Sequence, residues 1–443
     1  MILKNMKSKL YHVPPLCAVL LLSVLMHSIG QAADTAPGLP GLSTVSSRAE
    51  LDALIASTDD PGLKQAIRDN SCAILEAAER YPHVEAVIRT IESSPGEYQM
   101  INATPCSLKK AAGGDITIFD TLTMVGTRIK GGKAHQHRTN KEDPYNAAFV
   151  EHLGHITSLE TLYLEARNIE DSWVAPLLNL KNLKSLAIIG FARLGDDSLA
   201  QLQNLETTCP HLTTLELAYF GKATDAGLER LAGLKNLEKF TFRGSPVRGH
   251  GFSKFDGWTR LRNINFHSNQ LDDEGLGYVC EKFPNLEFIK LWHSRYLTDA
   301  SAVHIKKLTR LKGIEISCKE ATAGLFKHIG HLPLEYAAFE SGVNSPATQV
   351  IENAKSVPTL RRLKVQVSSF TPTELKQLAE VSQVEELSLG SLTLTEEHID
   401  ILKSFDHLKQ LELVERRKKH LYPDAAKAKV RSALPGVAVT FVP

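Results

Sequence analysis

Excess charge of either sign is missing from this chain of 443 residues: 51 lysines and arginines face 50 aspartates and glutamates, a formal net charge of +1. No global field draws such a chain onto nucleic acid or an anionic membrane, so no nucleic-acid partner is expected. Catalytic signatures are missing too. The sequence contains no Gly-x-Ser-x-Gly, no His-Glu-x-x-His and no phosphate-binding glycine loop, so no enzymatic activity and no cofactor is expected. Beyond the opening segment no stretch is apolar enough to span a membrane. Cysteine is sparse. Of six, Cys17 lies in the opening segment, which leaves Cys72, Cys106, Cys209, Cys280 and Cys318. An odd number cannot pair completely. Cys72 with Cys106 is the one candidate disulfide, and the other three read as small buried hydrophobes.

The opening segment itself has a recognisable order. Lys4, Lys7 and Lys9 precede the apolar run Leu16–Leu25, and small residues follow around Gly30-Gln-Ala-Ala33. This predicts a secretory signal peptide over residues 1–32, because the apolar core is shorter than the roughly 20 residues a spanning helix needs. Pro14-Pro15-Leu16 before Cys17 lacks the small residues of a lipidation site. Export to a periplasm, the cell surface or the medium is therefore expected, with no membrane insertion after cleavage. Residues 33–46, rich in Pro, Gly, Ser and Ala, read as a linker.

What the chain has in abundance is a period. Eleven hexapeptides approximating Leu-x-x-Leu-x-Leu begin at Leu159, Leu183, Leu212, Leu237, Leu261, Leu286, Leu311, Leu334, Leu360, Val384 and Leu408. They stand about 23 to 29 residues apart, the spacing of a solenoid. In each, residues one, four and six point inward and residues five and seven outward, since strand side chains alternate. Asp225-Ala-Gly-Leu228, Asp273-Glu-Gly-Leu276 and Asp299-Ala-Ser-Ala302 predict an aspartate-capped helix after the strand, and Thr371-Pro-Thr-Glu374 a full capping box. Pro210, Pro284, Pro333 and Pro358 end such helices before the next strand.

These features resemble the cysteine-containing, or GALA-like, subclass of leucine-rich repeats over about Leu159 to Val414, and Cys209-Pro-His-Leu212 matches that subclass's Cys-Pro-x-Leu start. The resemblance extends to exported bacterial proteins of this repeat type. It implies an α/β solenoid with a parallel concave sheet and a helical convex side, used for recognition. Eukaryotic relatives select substrates for ubiquitin ligases through an attached F-box, which is not seen here, so that role is not carried over.

The expected organisation is a small, mainly helical N-terminal cap domain over 47–146, a solenoid of about eleven repeats over 147–429 and a capping strand over 430–443. Ser47-Arg-Ala-Glu50 predicts a capping box opening the first helix, and Ile116-Thr-Ile-Phe119 alternates like a strand. His135-Gln-His137 with Glu142 and Asp143 offers no closed set of ligands, so no metal is assigned. The basic run at 416–420 reads as a solvated loop.

On the concave face the outward register brings aromatic rings and cations together in repeats three to six. The candidate binding residues are Tyr219, Arg243, His267, Lys290, Trp292, His293 and Arg295, with Trp292 as anchor, because tryptophan, tyrosine and arginine dominate binding hot spots. Aromatic faces beside cations suit an acidic protein segment or an anionic glycan. The sequence-level reading is a non-catalytic exported scaffold for a protein or glycan partner. An enzymatic site in the N-terminal domain and a self-associating envelope component are the alternatives.

Overall fold

The structure, a computed structural model, describes residues 41–94, 96–127, 143–318, 320–339, 346–366, 370–390, 392–415 and 422–442. The predicted signal peptide, His135, His137, Glu142 and the basic run at 416–420 lie outside the described residues.

Fourteen strands form one sheet in sequence order, and every pairing described is parallel. The first two are β1 (Glu97–Asn102) and β2 (Asp120–Gly126). Then come β3 (Thr161–Glu165), β4 (Ser185–Ile189), β5 (Thr214–Ala218), β6 (Lys239–Arg243), β7 (Asn263–Asn265) and β8 (Phe288–Trp292). The last six are β9 (Gly313–Ser317), β10 (Tyr336–Phe339), β11 (Arg362–Val365), β12 (Glu386–Gly390), β13 (Gln410–Val414) and β14 (Ala438–Val442). Strands β3 to β13 carry the eleven hexapeptides. A parallel neighbour can be reached only by a crossover, and short α- or 3-10 helices supply it in each repeat. The chain is an α/β leucine-rich-repeat solenoid.

The register explains the core. Leu286, Ile289 and Leu291 of one repeat, at most 1% exposed, are repeated by Leu311, Ile314 and Ile316 in the next. Such layers form one continuous apolar cluster from Val84 to Leu434. Between β6 and β7 the crossover is a 3-10 turn, His250–Lys254, and aromatic rings fill its side of the core. Phe252 packs against Phe240, Phe255, Phe266 and Phe283, and the Trp258 indole N–H is satisfied by the carbonyl of Ala232 at 2.8 Å.

The helix starts differ from expectation. The side chains that cap are Thr224, Asp272 and Thr298, while Asp225, Asp273 and Asp299 sit one residue further on. Their carboxylates reach forward into the following repeat. Asp273 accepts from the Thr298 N–H at 2.9 Å and its hydroxyl at 2.6 Å; Asp299 accepts from Thr322 in the same way, both at 2.6 Å. Asp196 holds Thr224 likewise at 2.8 and 2.7 Å, and Asp225 accepts from the amides of Arg248 and Gly251 at 2.9 and 3.1 Å. Both residue types at such a start can cap, and the threonine or first aspartate takes that place because it precedes the helical φ/ψ. The Thr371 capping box forms as expected. At Ser47 only half of it does: the Ser47 hydroxyl accepts from Glu50 N, but Glu50 reaches back to Ser46.

Two compact units divide the contacts: Met1–Glu79 with Asn102–Phe119, and Arg80–Ile101 with Asp120–Pro443. In the first, helices Arg48–Ser57, Pro61–Asp69 and Cys106–Ala112 pack, and Asn70 Nδ2 donates to Ser107 Oγ at 2.9 Å. Cys72 and Cys106 are free thiols there, and both are exposed. The strand expected at Ile116–Phe119 is instead a 3-10 turn, Thr117–Phe119, with the Phe119 N–H donating to Ile116 O at 3.0 Å. Four alternating residues do not distinguish the two, because a 3-10 turn also brings residues three apart onto one side. The strand proper, β2, begins at Asp120.

Candidate functional site

The outer face of the sheet, away from the core, carries positions five and seven of each hexapeptide. Several residues expected to be exposed there are buried: Glu165, Ala187, Ile189, Ala218, Ala338 and Gly390. Side-chain size accounts for the small ones. Ala218 lies in register between Ile189 and Arg243, and Ala338 between Glu315 and Lys364, so larger neighbours one strand away shade each methyl group.

Immediately after position seven, four successive repeats place a residue in the left-handed region: Tyr219 (φ 58°), Gly244 (67°), Ser268 (60°) and His293 (52°). The amides of the first three extend the parallel ladder. Tyr219 N donates to Arg243 O at 2.7 Å, Gly244 N to His267 O at 2.8 Å and Ser268 N to Trp292 O at 2.6 Å. The reversal then sends the next side chain inward, so Phe220, Ser245, Asn269 and Ser294 are buried. Asn269 satisfies two backbone groups of the preceding repeat, accepting from Ser245 N at 3.0 Å and donating to Phe242 O at 2.5 Å. This turn leaves Tyr219, 41% exposed, and His293 standing on the outer side.

Six of the seven candidate residues meet. The Arg243 guanidinium lies over the Tyr219 ring, 4.9 Å from its centroid. His267 packs between Trp292, with ring centroids 5.2 Å apart, and His293, at 5.3 Å. The Lys290 ammonium sits 3.2 Å from the centre of the Trp292 ring. Arg295 is exposed outside this cluster and, among the described residues, has no ion-pair partner.

The electrostatics depart from those expected of an anion site. Arg243 Nε donates to Glu216 Oε1 at 3.0 Å, and Lys290 Nζ lies 2.8 Å from Glu315 Oε2. Both clustered cations are neutralised within the protein. Burial opposes the Arg243 charge, but Glu216 and Tyr219 together hold its pKa above the ordinary value. Burial, then the neighbouring His293, Lys290 and Arg243, push His267 down to about 4, so its imidazole is neutral at pH 7. Trp292 is half-buried, and its indole Nε1–H is closed off from water with no acceptor among the described residues.

Sequence reasoning passed over the carboxylates. Glu216 and Glu315 occupy fifth positions, and Glu315 stands directly opposite Lys290 in the register. It also missed an extension of the cluster: the Tyr336 hydroxyl donates to Glu315 at 3.0 Å, and Phe288 and Tyr336 stack at 6.2 Å. The signal was Gly313. A Cβ there would lie 2.7 Å from Phe288 and 3.5 Å from Tyr336, so glycine opens room for both rings.

Cation–ring contacts recur outside this cluster, with Arg248 over Tyr296 at 4.7 Å and Arg362 over Tyr336 at 5.1 Å. A cavity of about 160 Å³ lined by Leu205, Glu206, Cys209, Leu212, Gly233 and Leu237 is smaller than the pockets that enclose cofactors or drug-sized ligands, and a recess of about 620 Å³ beside Lys376, Glu397, Asp400, Ile401 and Ser404 is open to solvent. Burial raises the Cys209 thiol and pushes Cys280 up to about 12, which makes both poor nucleophiles.

No family model matches the chain. A Caenorhabditis elegans protein named "Putative RNA-binding protein EEED8.10" is 24% identical over 319 residues, spanning 61% of this chain and 42% of that protein. The chain thus covers less than half of that relative. Among solved structures, an internalin from Listeria monocytogenes is similar at a TM-score of 0.34 and 20% identity, covering 65% of this chain and 69% of that one.

Proposed function

We propose that this protein is an exported, non-catalytic scaffold of the cysteine-containing repeat subclass, and that it binds a protein partner through the outer face of β5 to β8, with Trp292 as anchor. The observation that carries this reading is the meeting of Tyr219, Arg243, His267, Lys290, Trp292 and His293 on that face. Large rings held by cation–π and ring contacts lose little side-chain entropy on binding, the property that makes such residues hot spots. The neutralised cations count against a polyanion. RNA binding draws its affinity from released counterions, which needs unpaired lysines and arginines facing the phosphates.

The test compares the mature protein with an Arg243→Glu, Lys290→Glu, Trp292→Ala variant of matched folded content, each immobilised against envelope and medium fractions of the source cell. A protein retained by the first and lost from the second supports the reading. Equal retention moves the site elsewhere, a glycan as the retained species replaces the partner class, and salt-sensitive retention of RNA overturns it in favour of the role in the relative's name. Export is checked separately by sequencing the mature N-terminus, expected at Ala33.

A further inference from the structure

We infer that the partner segment seated on Trp292 is an uncharged stretch of polypeptide that presents a hydrogen-bond acceptor, a backbone carbonyl or an Asn/Gln side-chain carbonyl, to the indole Nε1–H. This inference rests on the recognition reading above and specifies its chemistry.

Three observations support it. The first is the orphan donor. Buried N–H groups are almost always paired, and an exception in a native structure needs an explanation. Trp258, the fully buried tryptophan of the same solenoid, has its indole N–H paired with a carbonyl, whereas that of Trp292 has no acceptor. The difference falls at the one tryptophan on the outer face.

The second is charge. An acidic partner would have to compete with carboxylates already in place, since Glu315 holds Lys290 and Glu216 holds Arg243. His267 contributes no positive charge at pH 7, and the indole N–H is a buried donor of the cluster with no acceptor. A neutral carbonyl uses that donor without disturbing either ion pair.

The third concerns access. What lies on the indole is side chain: the Lys290 ammonium on its face and the His267 ring at its side. The indole N–H points along the ring plane, so the ammonium on the ring face, held by Glu315, does not occupy the direction from which an acceptor approaches. The acceptor therefore enters at the ring edge as the indole and its side-chain neighbours adjust.

The experiment pans a phage-displayed library of random dodecapeptides on the full-length mature protein. Synthetic versions of the enriched sequences are then titrated against the unaltered protein and against Trp292→Phe, Trp292→Ala and Glu315→Gln. Phenylalanine keeps an aromatic face and removes the N–H together with the five-membered ring that carries it. Expected are peptides of near-zero net charge that bind Trp292→Phe about tenfold more weakly, the factor for one lost hydrogen bond, and that bind Glu315→Gln no more tightly. In ¹H–¹⁵N spectra the Trp292 indole proton should move downfield on binding. Peptides that need Trp292 but tolerate phenylalanine sink the acceptor while leaving the recognition reading intact. Acidic peptides that tighten on Glu315→Gln sink it in favour of an anion site. Binding that survives Trp292→Ala, or a library that yields no Trp292-dependent sequence, sinks both.

Discussion

His267 and Trp292 hold the same position in adjacent repeats, and the burial of His267 there, with His293, Lys290 and Arg243 around it, governs how it responds to acid. An imidazole whose folded pKa is about 4, against an ordinary 6.5, stays neutral in the native state while the unfolded chain takes up a proton. The unfolded state then binds more protons between those two values, so stability is full above about pH 6.5 and falls as pH drops towards 4. At roughly 1.4 kcal/mol per unit, the loss at the bottom of that window is on the order of 3 kcal/mol. Other groups titrate there as well, so the measurement is a difference: urea unfolding of the unaltered protein and of His267→Gln at several pH values from 7 to 4. The unaltered protein should lose more stability than the variant, with the gap opening below pH 6.5. Parallel curves would mean that His267 is protonated as readily in the folded state as in the unfolded one.

At the scale of the element, the aspartates that begin the helices latch each repeat to the next. Asp273 fills both the amide and the hydroxyl of Thr298, the residue that caps the following helical turn. Removing the carboxylate leaves a partly buried N–H unpaired, so Asp273→Ala should cost about 1–3 kcal/mol in urea unfolding. Asp256, which pairs with Lys282 while remaining 80% exposed, serves as the control. Its alanine variant should unfold at an unchanged midpoint, because exposed pairs contribute little. Equal effects at the two sites would deny the latch. This element also shows where the sequence was legible and where it was not. The Leu-x-x-Leu-x-Leu spacing placed β3 to β13 because burial enforces it at every repeat. The cap was misplaced by one residue because Thr224 and Asp225 are both competent caps, and only the backbone conformation separates them. The left-handed turns at Tyr219 and His293 gave no signal at all, since only Gly244 in that row is the residue type such a conformation favours. The candidate face was found from the register, but its charge was misjudged by weighing Arg243 and Lys290 apart from the fifth-position glutamates.

For the molecule as a whole, the apolar cluster running unbroken from Val84 to Leu434 decides how it comes apart. Each layer contacts only its neighbours, so the stability of a solenoid is a sum of repeat and interface terms, and cooperativity depends on strong interfaces. The aromatic hub around Phe252 joins the repeats on either side of a crossover that lacks an α-helix, with Phe240 from the repeat that begins at Leu237 and Phe266 and Phe283 from the next. Phe252→Ala should therefore cost about 3–5 kcal/mol, the range for deleting a buried aromatic ring. Its effect on cooperativity tells more. If the hub couples the two halves, the unaltered protein should melt in one transition by far-UV circular dichroism and by the fluorescence of single-tryptophan forms that keep Trp173 or Trp258, buried in different repeats. The variant should then split that transition or lower both signals together. A variant in which Trp258 alone reports earlier unfolding, with the Trp173 signal and the dichroism unmoved, would mean that the repeats before the hub fold independently of it. The strand ladder without the aromatic layer would then suffice to hold the outer face in register.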